Sequence, residues 1–207
     1  MNLLQRHDEW LADRVGKITA SRVGGINAKP QKGKALNRTM IELLVERLTG
    51  EVEDRYINAA MQWGIDHEPD AIASYENITG EFVVGCGLIN HPTISMSGAS
   101  PDGLIGDDGL LEAKCPNRET HMNTILTQQV PDEYLPQITW QLACTGRKWC
   151  DFVSYDPRFS EDLQTVIIRV MRDDVDIVAL ENEVAACNGK LNQVIENLTN
   201  KVKGETV

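Results

Sequence analysis

A glycine-rich hairpin, "SPDGLIGDDGLLEAKCP" at residues 100–116, constrains the fold of this chain more than any other stretch. The runs "GLI" and "GLLEAKCP" are typical of short strands, and "GDDG" predicts the turn between them. Because side chains alternate between the two faces of a strand, Glu112 and Lys114 lie on the same side. The turn brings Asp102, which precedes the first strand, close to that pair. We therefore expect two carboxylates and one ammonium group at a single place.

These side chains suit a hard divalent cation. Mg²⁺ prefers oxygen ligands, and Asp102, Glu112 and the carbonyl of Ala113 can supply three of them. A bound metal lowers the pKa of a coordinated water, and Lys114 can orient or deprotonate that water, which gives a nucleophile for a phosphodiester. The alternative is a solvent-exposed hairpin in which Glu112 and Lys114 form an ordinary salt bridge. An Asp followed ten residues later by Glu-x-Lys is common by chance, so the spacing of Asp102, Glu112 and Lys114 leaves both interpretations open.

Two helical stretches offer further polar side chains for such a site. "WGIDHEPDA" places Glu68 on a predicted helix, where it can complete a metal site as a third carboxylate. "YLPQITWQ" places Gln137 and Gln141 on one face of a later helix, where their amides can support Lys114 or a phosphate. In the alternative interpretation, Glu68 is a surface acid and the glutamines are solvated.

The N-terminal part of the chain is basic although the whole chain is acidic. A net charge of −11 ordinarily argues against a nucleic-acid partner, since contacts to phosphates dominate such affinity. Residues 14–38, however, contain Lys and Arg but no Asp or Glu, and their phosphate-binding donors include Arg14, Lys17, Ser21 and Arg22. A basic segment beside an acidic cluster is typical of a surface that binds phosphates near cations. The alternative is a solvated loop.

The remaining patterns predict alternating helices and strands. Apolar periodicity predicts helices at 36–50, 59–80 (interrupted or bent near Pro69), 118–130, 133–145 and 174–203. Strand-like runs lie at 82–89, 103–105, 109–116, 150–156 and 163–173. One face of the last helix is apolar: Ile177, Leu180, Val184, Leu191, Ile195, Leu198 and Val202. This order predicts an α/β (α+β) domain with a central mixed β-sheet flanked by helices.

Composition excludes several classes of protein. A chain of 207 residues with 42% apolar content can bury one core, which favours a single domain. The five cysteines are odd in number and include no CxxC pair, so neither a disulfide framework nor a zinc ribbon is supported. No run reaches the roughly 18 apolar residues of a membrane span, and "MNLLQRHDEW" lacks the apolar core of a signal peptide. We therefore expect a soluble, cytoplasmic protein.

The order of these motifs resembles a known nuclease family. "WLADRVGKITAS", "AKPQKGK", "WGIDHEPDA", "SPDGL", "GLLEAKCP", "YLPQ" and "YDPRF" follow one another between residues 10 and 173 as in the lambda exonuclease or YqaJ-type viral recombinase family of the PD-(D/E)xK nuclease superfamily. The resemblance implies a restriction-endonuclease-like core. It also implies an Mg²⁺-dependent 5′-to-3′ exonuclease that digests double-stranded DNA ends during phage or prophage recombination in a bacterial host.

The same resemblance implies products and partners. Such an enzyme releases 5′-mononucleotides and leaves a 3′ single-stranded overhang for a single-strand annealing protein. Members of the family assemble as ring-shaped trimers that thread the duplex through a channel. An acidic chain is compatible with this arrangement because only the channel lining must be basic.

By resemblance, the hairpin carries the metal site. Asp102 and Glu112 match metal ligands, with the Ala113 carbonyl beside them, and Lys114 matches the residue that activates water. Glu68 matches the helix glutamate that supports a second metal. The family pattern thus implies two Mg²⁺ ions per site, with Mn²⁺ able to substitute.

Other positions match residues that support the lysine or bind DNA. Gln137 matches the glutamine that supports the catalytic lysine. Arg14 and Ser21, together with Ser100, match the residues that hold the terminal 5′ phosphate. Met61 stands where the family can place an apolar wedge that splits the duplex end.

One stretch departs from the family pattern. Gln31 follows "AKP", where lambda exonuclease has an arginine that reaches into the DNA. Lys32 and Lys34 stand nearby and are the DNA-binding candidates of this arm. The resemblance makes residues 1–207 a single nuclease domain, composed of a phosphate-binding segment at 10–38, a catalytic core at 59–173 and a C-terminal helix at 174–203.

Two other functions are compatible with parts of the sequence. An iron-sulfur exonuclease of the Cas4 type needs one cluster cysteine upstream of the nuclease core and three near the C-terminus, whereas no cysteine precedes Cys86 and only Cys187 follows Cys150. A non-catalytic DNA-end-binding recombination scaffold would bind DNA without releasing nucleotides. The presence of the acids, the lysine and the glutamine together argues against such a scaffold.

Overall fold

The computed structural model describes residues 8–52 and 57–204, and it describes side chains from residue 11 to residue 201 within these ranges. The described helices are α1 (Asp8–Arg14), α2 (Ala20–Val23), α3 (Arg38–Thr49), α4 (Ala59–Thr79), α5 (Arg118–Thr127), α6 (Leu135–Thr145) and α7 (Ile177–Gly204). The strands are β1 (Ile18–Thr19), β2 (Val83–Val84), β3 (Ile89–Asn90), β4 (Ser97–Ala99), β5 (Gly103–Ile105), β6 (Gly109–Lys114), β7 (Trp149–Tyr155) and β8 (Thr165–Met171). None of the described helices is long and apolar enough to span a bilayer.

Five strands form the main sheet, in the order β2-β5-β6-β7-β8. The pair β6 and β7 is parallel, and the other neighbouring pairs are antiparallel. Parallel neighbours need a crossover connection, which α5 and α6 provide here. The prediction of a mixed sheet flanked by helices is therefore confirmed, and the β5–β6 hairpin lies inside the sheet, away from its edges.

A second, three-stranded sheet was not predicted. It has the order β1-β4-β3, with β1 parallel and β3 antiparallel to β4. The prediction of one strand at 82–89 is wrong, because β2 joins the main sheet and β3 joins the small one. Gly85 and Gly87 separate the two pieces, and glycine weakens a strand interior.

The helix ends follow ordinary capping chemistry. The side chains of Asn37, Asn58 and Asn117 each accept the backbone N–H three residues further on, at 2.9 Å in all three helices. The helix α4 was predicted to be interrupted or bent near Pro69, and it continues through this residue, so the interruption is wrong. Packing accounts for this, because Ala71 and Tyr75, further along α4, are fully buried against the main sheet.

The helix α7 closes the other side of the molecule. Its residues Leu180, Val184 and Leu191 are buried in a core shared with α3 and α6. The predicted apolar face ends earlier than expected, because Leu198 is 42% exposed. The side chain of Val202 lies outside the described residues.

A close contact fixes the start of β6. Gly109 pairs with Trp149 across the parallel ladder. A Cβ atom on Gly109 would lie 2.2 Å from the Trp149 ring, nearer than real Cβ contacts come. The guanidinium of Arg169 covers the same ring, 3.6 Å from its centroid. Position 109 therefore requires glycine.

Candidate active site

The β5–β6 hairpin brings three charged side chains together. Asp102 lies directly before β5, and its backbone N–H donates to the Leu111 carbonyl at 3.1 Å. The Asp102 Oδ2 atom accepts the Ala113 N–H at 2.8 Å, which fixes this carboxylate against β6. Lys114 donates from Nζ to Glu112 Oε1. The two carboxylates and the ammonium group therefore share one place in the structure.

Glu112 is fully buried and accepts hydrogen bonds on both oxygens. Gln137 donates to Oε1 at 2.5 Å, and Gln141 donates to Oε2. These donors come from α6, and they compensate the cost of burying a carboxylate. The burial excludes the solvent-exposed salt bridge considered above. Gln137 was expected to support Lys114, but its described contact is with Glu112, the partner of that lysine.

The pKa values of Asp102 and Lys114 follow from this crowding. Burial raises the pKa of Asp102 well above its ordinary value, and the nearby charges of Glu112 and Glu68 raise it further. Lys114 and the Ala113 N–H lower the pKa of Asp102, but their combined effect is smaller than that of burial and the two glutamates. Burial alone would lower the pKa of Lys114, but Glu112 and Asp102 more than offset it and the pKa is raised. Lys114 is therefore held as an ammonium ion.

The donor set fits a hard divalent cation. The side chains of Asp102, Glu112 and Glu68 offer carboxylate oxygens, and their mutual repulsion is the kind that a cation relieves. Within residues 8–52 and 57–204, no three His, Cys, Asp or Glu side chains already surround a common point at metal-binding spacing. Both Glu112 oxygens are engaged by N–H donors. A cation would therefore take the place of one of these donors.

A cleft of about 840 Å³ opens beside the charged cluster. Glu68, Ala113 and Lys114 line it, so the third predicted carboxylate faces the same space as the hairpin. Met61 also lines the cleft and is 44% exposed. An apolar side chain thus protrudes near the charged groups.

A second polar cluster surrounds Arg14. Its Nη1 atom donates to Ser100 Oγ at 3.0 Å, and its Nη2 atom contacts Thr19 Oγ1 at 3.3 Å and Ser21 Oγ at 3.4 Å. Ser100 is two residues before Asp102, so the cluster adjoins the hairpin. Thr19 was missed as a member of this cluster, although it stands two residues before Ser21, whose hydroxyl lies 3.3 Å from its own.

The other basic candidates lie elsewhere. Arg22, which was expected to bind phosphate, forms an ion pair with buried Glu46, 2.5 Å between Nη2 and Oε1. Lys17 donates to the Asn90 side chain at 2.9 Å. Lys32 and Lys34 are exposed in the loop between α2 and α3, and neither lines the cleft as far as the structure describes it.

Arg158 was also missed as a cleft residue. It belongs to the "YDPRF" stretch, and it lines the cleft together with Trp63. The signal available in the sequence was an arginine directly after a predicted strand that ends at Asp156. That signal is weak, because it does not say which side of the sheet the arginine reaches.

Comparison with solved structures places this fold among exonucleases. The chain is 48% identical to LHK-Exo in complex with dAMP, with a TM-score of 0.88 over 97% of this chain and 100% of the other. An alkaline exonuclease (LHK-Exo) from Laribacter hongkongensis is 49% identical, with a TM-score of 0.87 over the same shares. A phage-related exonuclease from Haemophilus somnus 129PT shares the fold, at 14% identity and a TM-score of 0.65 over 88% of this chain and 96% of the other. No curated protein sequence matches.

The fold and the site together define an enzyme of the DNA exonuclease class. The YqaJ-like viral recombinase domain matches residues 9–148, which is more than half of the chain. The chain belongs to the YqaJ-like viral recombinase family, whose members act as nucleases in recombination. The resemblance seen in the sequence motifs is therefore confirmed.

Proposed function

We propose that this chain is an Mg²⁺-dependent 5′-to-3′ exonuclease of double-stranded DNA ends, which releases 5′-mononucleotides and leaves a 3′ single-stranded overhang. The observation that carries this proposal is the convergence of Asp102, Glu112 and Lys114 on one hairpin beside an open cleft. Carboxylates next to a lysine suit the hydrolysis of a phosphodiester, because a cation and an ammonium group together neutralise the developing charge.

The metal would be held by the hairpin. Asp102, Glu112 and the carbonyl of Ala113 are the proposed ligands of one Mg²⁺, and Glu68 supports a second, with Mn²⁺ able to substitute. Such an ion lowers the pKa of a bound water and stabilises the charge that develops on the phosphate. Lys114, which contacts Glu112, is the proposed residue that activates the attacking water. Gln137 acts through Glu112, which it holds in place.

The direction of digestion follows from the proposed end-binding pocket. Arg14, Ser21 and Ser100 present an arginine and two hydroxyls at one place, a set that suits a terminal 5′ phosphate. Met61 is the proposed wedge that separates the strands at the duplex end. The similar LHK-Exo was solved with dAMP, which supports a mononucleotide product. Lys32 and Lys34 are proposed to contact the DNA outside the cleft.

The biological setting is proposed from the family. The enzyme would act in the cytoplasm of a bacterial host during phage or prophage recombination, as a ring-shaped homotrimer beside a single-strand annealing protein. We propose that residues 1–207 form one nuclease domain. No described contact favours a non-catalytic scaffold. Among the cysteines, Cys144, Cys150 and Cys187 are buried, which does not favour a Cas4-type cluster.

One experiment tests chemistry and direction together. Linear duplex DNA is labelled at one 5′ or one 3′ end, with or without a 5′ phosphate, and incubated with the protein in Mg²⁺ or in EDTA. We expect labelled mononucleotide to be released from the 5′-labelled strand in Mg²⁺ alone. Shortening of the 3′-labelled end would reverse the proposed direction, and a full-length duplex in Mg²⁺ would contradict the proposed activity.

A further inference from the structure

The cleft contains a second basic residue besides Lys114. Of the described residues that line it, Lys114 and Arg158 carry positive charge. The charge of Lys114 is engaged by Glu112 within the hairpin. Arg158 comes from a different element, since it lies just after β7, and it is about one-third exposed at its side chain. Arg158 therefore adds a cation to a cleft that Glu68 and Glu133 also line, and the chemistry of the hairpin does not use this cation.

The guanidinium of Arg158 is held along one edge by Asp156 and across one face by Trp63. Its Nε donates to Asp156 Oδ1 at 2.7 Å and its Nη2 donates to Asp156 Oδ2 at 2.6 Å. Asp156 is fully buried, so the anchor of this ion pair belongs to the protein interior. The guanidinium also lies over the Trp63 ring, 4.4 Å from its centroid. Within the described part of the chain, Nη1 makes no hydrogen bond, so one edge of a fixed fork remains open.

Trp63, on which Arg158 is seated, has an unusual buried N–H group. Its Nε1 is buried, yet the described residues offer it no hydrogen-bond acceptor. Buried N–H groups are nearly always satisfied, because an unpaired one loses its hydration without compensation. The Trp63 ring already contacts Arg158 and, at 3.9 Å between centroids, His67. These two neighbours contact the ring and leave no room on it for a stacked base, so a ligand at this wall of the cleft would meet the Arg158 guanidinium.

The start of α5 favours the same kind of ligand. Asn117, the N-cap of α5, and Thr120 both line the cleft. The N-terminus of a helix carries a partial positive charge and attracts anions. The Arg158 guanidinium and the N-terminus of α5 thus face one space, which Trp63 also lines.

We infer that Arg158, seated on Trp63, binds a backbone phosphate of the DNA strand that enters the cleft, at a subsite separate from the Arg14 cluster. The inference rests on the proposed function only in naming DNA as the polymer. The guanidinium of Arg158 itself suits a phosphodiester anion. Arginine suits this position because its planar fork offers paired donors while one edge stays on Asp156. A strand held there is positioned beside Lys114 without Arg158 taking part in the cleavage.

Salt dependence of binding tests this subsite. Each phosphate that a cation neutralises adds about 0.7 to 0.9 to the slope of log K against log salt concentration. The double variant Asp156→Asn/Arg158→Gln removes the cation while leaving no buried charge unpaired. Affinity for a fluorescent duplex with a short single-stranded tail is measured by anisotropy at several salt concentrations, in EDTA to prevent hydrolysis. We expect the slope to fall by about 0.7 to 0.9 relative to wild type.

The chain contains a closely matched control. Asp151 and Arg169 form the same kind of buried-acid pair, 2.8 Å on both bonds, and Arg169 also stacks on a tryptophan, Trp149. This pair lies towards the other end of β7 and does not line the cleft as described. The double variant Asp151→Asn/Arg169→Gln should therefore keep the wild-type slope. Equal slopes for wild type and the Asp156→Asn/Arg158→Gln variant would overturn the inference.

A milder variant keeps the test valid if the double variant does not fold. Arg158→Lys retains the ion pair and the charge but loses the fork, so we expect the wild-type slope with affinity reduced about threefold to tenfold. Wild-type affinity in Arg158→Lys would also overturn the inference. A wild-type chain that binds DNA with the expected slopes but releases no nucleotide would contradict the proposed activity alone. A wild-type chain without affinity for DNA would overturn both.

Discussion

The surroundings of Lys114 reinforce its positive charge. Its nitrogen contacts Glu112 and lies near Asp102, and both raise its pKa although burial alone would lower it. A lysine that acts as a general base usually has a lowered pKa, because it must give up its proton near neutral pH. In its ammonium form Lys114 can orient water and stabilise negative charge, and a cation on Asp102 and Glu112 would weaken the attraction that raises its pKa.

The first prediction concerns this lysine. Lys114→Ala should reduce the rate of DNA hydrolysis at least about 10²-fold to 10³-fold, because removing one preorganised donor from a charged transition state has effects of that size. The matched control is Lys148→Ala, which removes the exposed ion pair of Lys148 with Asp108 in the turn of the same hairpin, 2.8 Å between Nζ and Oδ2. Release of labelled nucleotide measures both variants. Near-wild-type rates in Lys114→Ala would rule out the assigned role.

The second prediction concerns the Arg14 cluster. A 5′-phosphorylated end should be digested faster than a 5′-hydroxyl end, and Arg14→Ala should remove that preference because the phosphate loses its charged donor. Arg38→Ala is the control, since Arg38 lies in the same basic segment but pairs with Glu42 at the surface. Initial rates on the two substrates give the ratio. A preference that survives in Arg14→Ala would move the pocket elsewhere.

The third prediction concerns pH and metal at Asp102. Its pKa is raised in the folded chain, chiefly by burial and then by Glu112, so the folded state holds this proton more tightly than the unfolded state. Its contribution to stability is therefore full below the ordinary carboxyl pKa and is lost as the pH rises through the raised value. A cation competes with that proton. The stabilisation by Mg²⁺ should accordingly increase with pH across this window.

Thermal unfolding with and without Mg²⁺ at a series of pH values measures this effect. Saturation at about 100 times Kd corresponds to roughly 2.7 kcal/mol of added stability. In Asp102→Asn the Mg²⁺-dependent shift should be lost at every pH, whereas Asp108→Asn in the hairpin turn should keep it. An equal Mg²⁺ effect at acidic and alkaline pH in wild type would contradict the prediction.

Among the elements, α6 holds the buried side of the site. Gln137 and Gln141 are four residues apart, and both amides reach Glu112 on β6. The spacing was readable from the sequence, but the acceptor was not. A strand pattern does not show that Glu112 is fully buried in the middle of a five-stranded sheet.

The fourth prediction tests this helix-to-strand contact. Gln141→Leu should lower the free energy of unfolding by about 1 to 3 kcal/mol, because a buried carboxylate oxygen loses its donor. The control is Thr139→Val on the same helix, since the Thr139 hydroxyl only returns to the Leu135 carbonyl at 2.8 Å. Urea unfolding measures both variants. Equal stability in the two would show that Glu112 does not need this donor.

Predictability differed between long and short elements. The hairpin, α3 and α6 carry their own periodicity and turn residues, so their positions followed from local sequence. The strands β1 and β4 have two and three residues, which is too short for an alternation to be seen. Their pairing joins residues nearly eighty positions apart and depends on tertiary contacts. The Arg14 cluster could be named from family motifs, but the contact of Arg14 with Ser100, 86 residues further along the chain, could not be derived from local sequence.

At the scale of the whole molecule, charge is the main constraint on DNA binding. The net charge of −11 gives a single chain little attraction for a duplex. The proposed assembly concentrates the basic segment 14–38 where DNA passes. Closed cyclic symmetry does this, because every copy presents the same face to the axis. A ring built in this way would hold the duplex inside while the acidic surfaces stay outside.

The fifth prediction follows from that proposed assembly. Light scattering or sedimentation at micromolar concentration should report about three times the chain mass of 23.1 kDa. A ring cannot leave a strand that it encircles, so digestion should continue on an engaged duplex after excess unlabelled DNA is added. A monomer that is captured by the competitor after each cut would contradict the ring and leave the metal-site chemistry intact.

The close approach of Gly109 and Trp149 also determines where β6 sits along β7. A shift of β6 by one residue would place a residue with a side chain opposite Trp149, where Gly109 now lies. The indole ring, which Arg169 covers, leaves no room for that side chain. The same shift would turn every side chain of β6 to the opposite face of the sheet. Glu112 and Lys114 would then point away from the glutamines of α6. Gly109 therefore fixes the register of β6 against β7. A sheet in any other register would lack the active site.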